Sequence, residues 1–371
     1  MRILIAPDKF KGCLPAGEVA KEIAAGVRQI LPTAEIDLMP IADGGDGTAE
    51  VICNALGGSW VTCRAHDPIG RQIECRYAIV TARKLAIIEM SEAAGMRRLS
   101  EAELDPLRAT TFGVGQLILD AARRGAQTVI VGLGGSATND GGFGLARAFG
   151  FRFFDGEGMQ VRIAINKLRT LKQIESPRSL TLPRVIAAAD VQNPLYGRRG
   201  ATRVFGPQKG ATTMELLLLE KCLKRLGKAA SRQIRRVSPK TAGAGAAGGL
   251  GFGLMVFAGA TLRPGFELVA EMIGLDSRIQ KADVIITGEG RLDEQTPDGK
   301  APAGILQLGR RHQKRVFAIV GESEGGAAEA FDGVWQLLAD GSDRAHSIAM
   351  ARELLRQTAG EMAKQWNPER R

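Results

Sequence analysis

Four short segments of this 371-residue chain share one design, an apolar run that ends in acidic, basic and glycine residues. They are Pro7-Asp8-Lys9-Phe10-Lys11-Gly12, Ala42-Asp43-Gly44-Gly45-Asp46-Gly47-Thr48, Ala189-Asp190-Val191-Gln192-Asn193-Pro194 and Gly288-Glu289-Gly290-Arg291-Leu292-Asp293. Any one of them is an ordinary strand end with a capping Asp and a turning Gly. Together they gather carboxylates and cations beyond strand ends, where open α/β sheets bind ligands. A fifth segment, Gly132-Leu133-Gly134-Gly135-Ser136-Ala137-Thr138-Asn139-Asp140-Gly141-Gly142, lies between an apolar run and a helical pattern. Its glycines let main-chain N–H groups converge, and the helix N-terminus adds partial positive charge, a cradle suited to phosphate. Ser136, Thr138 and Asn139 add hydrogen-bonding groups, and Asp140 either holds a metal ion or caps the helix.

General acid and base work falls to carboxylates. The three histidines, His66, His312 and His346, form no HExxH and no zinc constellation. Carboxylates beside a phosphate cradle suit Mg²⁺, which prefers hard oxygen ligands. Phosphoryl transfer needs this set of parts: a divalent metal, cations against developing charge, backbone donors and a carboxylate that orients the attacking hydroxyl. No GxxxxGK[ST] occurs, so this is not a P-loop protein. Gly132-x-Gly134-x-x-Ala137 fits a dinucleotide fingerprint loosely, but polar Ser136–Asp140 delays the helix. Gly243-x-Gly245-x-x-Gly248 has no preceding strand.

The elements that position these loops read as β-α-β-α from the N-terminus: a strand over Ile3–Ala6, a helix with Val19, Ile23, Val27 and Ile30 in register, a strand over Ile36–Ala42 and a helix from Thr48 to Leu56. Residues 58–92 change to strands and turns and open a second domain. Helices at Thr110–Arg124, Gly142–Phe149 and Thr213–Leu226, and strands at Thr128–Val131, Phe151–Phe154 and Arg184–Ala189, follow. After residue 265 the first pattern returns, with strands at Asp283–Thr287, Arg315–Val320 and Val334–Leu337 and helices at Ala301–Arg311, Ala327–Ala330 and Arg344–Lys364. The fold class expected is α/β: a discontinuous flavodoxin-like parallel-sheet domain (residues 1–57 and 266–371) with a second α/β domain (58–265) inserted, and the active site in the cleft they share.

Composition narrows the partners. Lys and Arg exceed Asp and Glu by 50 to 40, a formal charge of +10, which favours anionic ligands. Aromatics at 5% are too thin for base stacking, which excludes nucleic acid. Five cysteines without a CxxC read as free thiols in a reducing compartment. No signal peptide is apparent, and the uncharged stretch Thr241–Leu262 carries seven glycines and reads as buried chain and not as a membrane span. A cytoplasmic protein follows. The oligomeric state is left open, a homodimer included.

The motifs resemble those of the bacterial type I glycerate kinase family. The first, second and fifth loops carry the resemblance, with Phe205-Gly206-Pro207-Gln208-Lys209-Gly210-Ala211, Ala242-Gly243-Ala244-Gly245-Ala246-Ala247-Gly248-Gly249-Leu250-Gly251, Ile286-Thr287-Gly288-Glu289-Gly290-Arg291-Leu292-Asp293 and Gly299-Lys300-Ala301-Pro302. They stand in family order over nearly the whole chain. Asp46 departs from the Glu common there, and Ala189 from a common Cys. The resemblance implies a two-domain α/β fold and transfer of the ATP γ-phosphoryl group to D-glycerate with Mg²⁺, 2-phosphoglycerate being favoured over 3-phosphoglycerate. On that basis Asp190 orients or deprotonates the hydroxyl, with Asp8 its rival. Lys11 and Arg291 receive the carboxylate and migrating charge. Asp43, Asp46 and Glu289 hold the metal, and Gly134, Gly135 and Ser136, aided by Thr138, Asn139 and Asp140, bind ATP. The readings weighed against it are an NAD(P)-dependent hydroxy-acid oxidoreductase and a non-catalytic binding protein for an acidic metabolite.

Overall fold

The computed structural model describes residues 1–161, 165–292, 300–337 and 344–366. They divide into two compact units, Met1–Asp43 with Gly265–Arg371, and Gly44–Pro264.

The first unit opens with β1 (Arg2–Ile5), whose Ile3, Leu4 and Ile5 are wholly buried, as a parallel strand covered on both faces requires. Helix Ala16–Ile30 follows directly on Pro15 and buries Val19, Ala20, Ile23, Ala24 and Val27 along one stripe. β2 (Glu35–Leu38) pairs parallel to β1. It stops short of the expected Ala42 because Pro40 has no N–H for a ladder. Met39 N and Ile41 N still donate to Ile5 O and Pro7 O at 2.9 and 3.0 Å. The chain therefore keeps beside β1 and the residues that follow it as far as Ile41.

The second unit holds β3 (Ser59–His66), β4 (Gln72–Val80), β5 (Leu85–Glu89), β6 (Thr128–Gly132), β7 (Arg152–Asp155), β8 (Leu171–Glu175), β9 (Arg184–Ala188) and β10 (Thr261–Arg263). Six of these form one sheet in the order β3-β4-β5-β6-β9-β10. Its β3-β4 and β4-β5 pairs are antiparallel, and the remaining three are parallel. β7 and β8 make a separate antiparallel ribbon. β8 (Leu-Lys-Gln-Ile-Glu) and the three-residue β10 carry too few apolar positions to be read from sequence. Helix Thr48–Ala55 lies against β4 and β5 and buries Val51, Ile52 and Cys53. Its residues therefore belong to the second unit, and the expected boundary after residue 57 moves back to 43. Helix Thr213–Gln233 runs past the expected Leu226 and starts in a capping box between Thr212 and Glu215. Residues 246–258 of the uncharged stretch are helical except at Ala247, Gly248 and Gly249, which sit in the left-handed region, and all but Ala258 are buried. Among the described residues no helix is long and apolar enough to cross a membrane.

The chain then returns to the first unit through helices Gly265–Ile273 and Leu275–Lys281. There follow β11 (Val284–Leu292), helix Ala301–Arg311, β12 (Arg315–Ser323), a 3₁₀ turn over Gly325–Ala330 where an α-helix was expected, and β13 (Gly333–Gln336). Helices Arg344–Ala349 and Ala351–Ala363 stand in place of one expected helix. The sheet is parallel throughout, ordered β2-β1-β11-β12-β13. This is the flavodoxin-like order, and its ligand crevice belongs beyond the strand ends where chain direction reverses, between β1 and β11.

Candidate active site

The switch point of the first unit carries the loop after β1. Asp8 N donates to Gly288 O at 2.8 Å, which fastens that loop to β11. Asp8 is 5% exposed. Its Oδ1 accepts from Lys9 N at 2.6 Å, and the Lys9 ammonium lies 3.6 Å from both Asp8 and Asp43. Burial drives the Asp8 carboxyl up to about 7; Lys9 opposes this and the Asp43 charge adds to it. Lys11 is exposed, two residues on. Arg291, on the far end of β11, is half exposed and reaches Glu324 at 2.5 Å and Glu322 at 3.8 Å. Glu289 is partly buried on the same strand. Asp293 lies outside the described residues.

In the second unit the Gly132–Gly142 segment leaves β6, as expected, and is pinned on both sides of its glycines. Leu133 N donates to Ala188 O at 3.1 Å, Met96 N to Gly135 O at 2.9 Å, and Ala137 N to Ala94 O at 2.9 Å. Among the described residues, the main-chain N–H groups of Gly134, Gly135 and Ser136 have no main-chain acceptor. Three adjacent donors held in place and uncommitted form an anion nest. The turn also packs on the second loop: a Cβ on Gly134 would stand 2.7 Å from Gly45 Cα, and one on Gly135 3.1 Å from Asp46 Oδ2. Gly135 sits at φ +66°, a conformation natural to glycine alone. Asp46 is thus brought to the glycine turn, its Oδ1 accepting from Ser91 Oγ at 2.6 Å.

Three residues expected to bind ATP are wholly buried. Asp140 is fully buried and accepts from Thr111 N, Gly142 N and Gly144 N at 2.9, 3.0 and 2.9 Å and from Thr111 Oγ1 at 2.9 Å. Of its two readings, metal ligand or cap, the geometry selects the cap, which also ties the start of helix Phe143–Ala148 to Thr111. Asn139 is buried and donates through Nδ2 to Thr202 Oγ1 at 2.9 Å. Thr138 is buried, with its carbonyl turned to a lysine. Of the expected metal ligands, Asp43 pairs with Lys9 and Asp46 bonds Ser91, and among the described residues no three His, Cys, Asp or Glu side chains are grouped to hold an ion. Asp190 follows β9, partly buried.

Sequence reading missed Glu89 and Ser91. Both stand where β5 ends, the same strand-to-polar-loop design as the other segments. Glu89 Oε1 accepts from Gly47 N and Ala49 N at 2.9 and 3.0 Å, capping helix Thr48–Ala55. Burial raises its pKa, those hydrogen bonds lower it, and the nearby Asp46 charge raises it. Glu89→Ala leaves two donors unmet and is expected to destabilise the protein by about 1–3 kcal/mol. Thermal unfolding of wild type and variant side by side would show it, and an unchanged midpoint would assign the capping to another group.

A flavodoxin-like sheet with polar loops at its switch point, joined in one chain to a glycine turn that offers free amides, defines an α/β protein built to handle a phosphorylated ligand. The chain belongs to the glycerate kinase family, whose model matches residues 3–367, and it is an enzyme of that transferase class. It is 40% identical over 329 residues to a glycerate 2-kinase of Escherichia coli, covering 86% of this chain and 85% of that one. It is 39% identical over 334 residues to a glycerate kinase of Halalkalibacterium halodurans, covering 89% and 88%. A crystal structure described as a glycerate kinase 2 of Salmonella typhimurium superposes with TM-score 0.87 at 38% identity, covering 100% of this chain and 99% of that one. Family membership sets aside the oxidoreductase and binding-protein readings.

Proposed function

We propose that the protein transfers the γ-phosphoryl group of ATP to the 2-hydroxyl of D-glycerate, giving 2-phosphoglycerate and ADP. The observation that carries this reading is the trio of fixed, uncommitted amides at Gly134, Gly135 and Ser136, with a carboxylate at the same turn. An anion cradle that also gathers an acid needs a cation to reconcile them. Mg²⁺ fits, because it takes oxygen ligands and is commonly held by one or two carboxylates with substrate phosphates supplying the rest. Asp46 would hold it. Bound there, the ion would neutralise charge developing on the phosphate oxygens.

The glycerate hydroxyl oxygen bonds to the γ-phosphorus, the bond from that phosphorus to the β–γ bridging oxygen breaks, and ADP leaves with the electron pair. The hydroxyl proton passes to Asp8, whose carboxyl is pushed up to about 7 by burial, a value suited to a base at neutral pH. We assign Asp8 this role ahead of Asp190 because Asp8 is buried beside Lys9 at the switch point of the parallel sheet, fastened there by Gly288 O. Lys11 and Arg291 would take the glycerate carboxylate, for which a guanidinium offers a planar fork.

The 2-hydroxyl assignment agrees with the name of the Escherichia coli relative. Phosphorus NMR of the product from D-glycerate, ATP and Mg²⁺ tests it. A phosphomonoester on a CH carbon couples to one proton and appears as a doublet. A triplet, from a CH₂ ester, would assign the 3-hydroxyl instead, and no new ester would end the reading.

A further inference from the structure

We infer that Lys209 is a positioning residue for ATP, a buried ammonium that fixes the Gly134–Ser136 turn from behind and lends it positive charge. The inference rests on the assignment of that turn to nucleotide phosphates.

Lys209 is 1% exposed, an uncommon place for a lysine. It ends the short turn Pro207–Lys209, closed by Gly210 in the left-handed region. Its Nζ donates to Ser136 Oγ and to Thr138 O, both at 2.7 Å. These two acceptors bracket Ala137, the residue that follows the last amide of the nest. The Thr138 carbonyl is also the atom that Gly248 presses against: a Cβ on Gly248 would stand 1.9 Å from it, and that glycine sits at φ +67°. The loop's far end is thus gripped by a cation on one side and bare backbone on the other.

Packing alone does not call for a charge here. An apolar residue would fill the same space without the desolvation cost of a buried ammonium. Burial does push the Lys209 amine down to about 7, against the pull of the Asp140 carboxylate. Asp140 already has its own four donors, so it does not account for the lysine. What remains within reach of the charge is the uncommitted nest, which a polyanion would fill. The positive charge strengthens that nest while the loop's own side chains stay neutral.

Steady-state kinetics of the full-length enzyme with Mg²⁺ tests the inference on Lys209→Met and Lys209→Gln. Both remove the charge, and the second keeps a donor. Each is expected to raise the KM for ATP about tenfold to a hundredfold, as loss of a charge-assisted contact does, with the KM for glycerate held within about twofold. Equal changes in both KM values, or an unchanged ATP KM, would overturn it. Loss of fold in both variants, followed by circular dichroism, would also count against it, since the lysine would then be structural alone. Gly135→Val separates this from failure of the underlying assignment. If it leaves the ATP KM unchanged, the turn does not bind the nucleotide. If it raises that KM while the lysine variants do not, only the role of Lys209 falls.

Discussion

Replacing Asp8 with Asn is expected to cut kcat by about 10²–10⁴, the usual worth of a general base, and at the same time to make the protein harder to unfold at pH 8. The two effects have one cause. A carboxyl buried to 5% exposure holds its proton to about pH 7, whereas in the unfolded chain it lets go near 3.8. Between those values the native state binds the extra proton, so stability falls as pH rises through the window and is level above it. The ionised Asp8 then costs up to roughly 4 kcal/mol at pH 8. Asn carries no charge to desolvate, so its unfolding midpoint should lose that slope. In turnover the sign reverses, because the base works only when ionised: wild-type kcat should climb through about pH 7, and the Asn variant should be flat there. If Asp190→Asn shows the larger loss and the flattened profile while Asp8→Asn keeps both, the base is Asp190.

That a residue can weaken the fold and serve the reaction explains which parts of this protein the sequence revealed. The parallel sheet was legible because Ile3-Leu4-Ile5, Val284–Ile286 and Val316–Val320 are unbroken apolar runs, the signature of strands covered on both faces. The strand-end loops were legible because polar residues follow those runs at once. Roles within the loops were not. Asp140 and Asp46 look alike in sequence, each an Asp beside glycines, yet one meets four internal donors and the other faces the glycine turn. Which carboxylate turns inward depends on Thr111, 29 residues away, and no local pattern encodes that pairing. Lys209 was hidden for a related reason. A lysine between Gln208 and Gly210 reads as an exposed turn, and only the tertiary placement of Ser136 and Thr138 buries it. The boundary was expected after residue 57 and not at 43 because Thr48–Ala55 continues a β-α-β-α rhythm, although its apolar face is completed by β4 and β5.

The distinction between those two acids carries the second large effect. Asp140→Ala strips the shared acceptor from Thr111 N, Thr111 Oγ1, Gly142 N and Gly144 N, all buried. It also leaves the Lys209 ammonium without the carboxylate whose charge supports it. Breaking a buried charged network in this way costs about 3–5 kcal/mol, which for a unit of this size lowers the melting temperature by on the order of 10 °C. Asp140→Asn should recover only part of it, since an amide nitrogen would face a donor where an oxygen now accepts. Asp46→Asn should show the opposite pattern. Its Oδ1 accepts one bond from Ser91, so the fold loses little, whereas Mg²⁺-dependent ATP binding should fall with the carboxylate's charge. Calorimetric melting and titration of both variants with Mg²⁺ and ATP read the two patterns directly. An Asp140→Ala protein that melts like wild type yet loses ATP affinity would return Asp140 to the nucleotide site and leave the capping of helix Phe143–Ala148 to other groups.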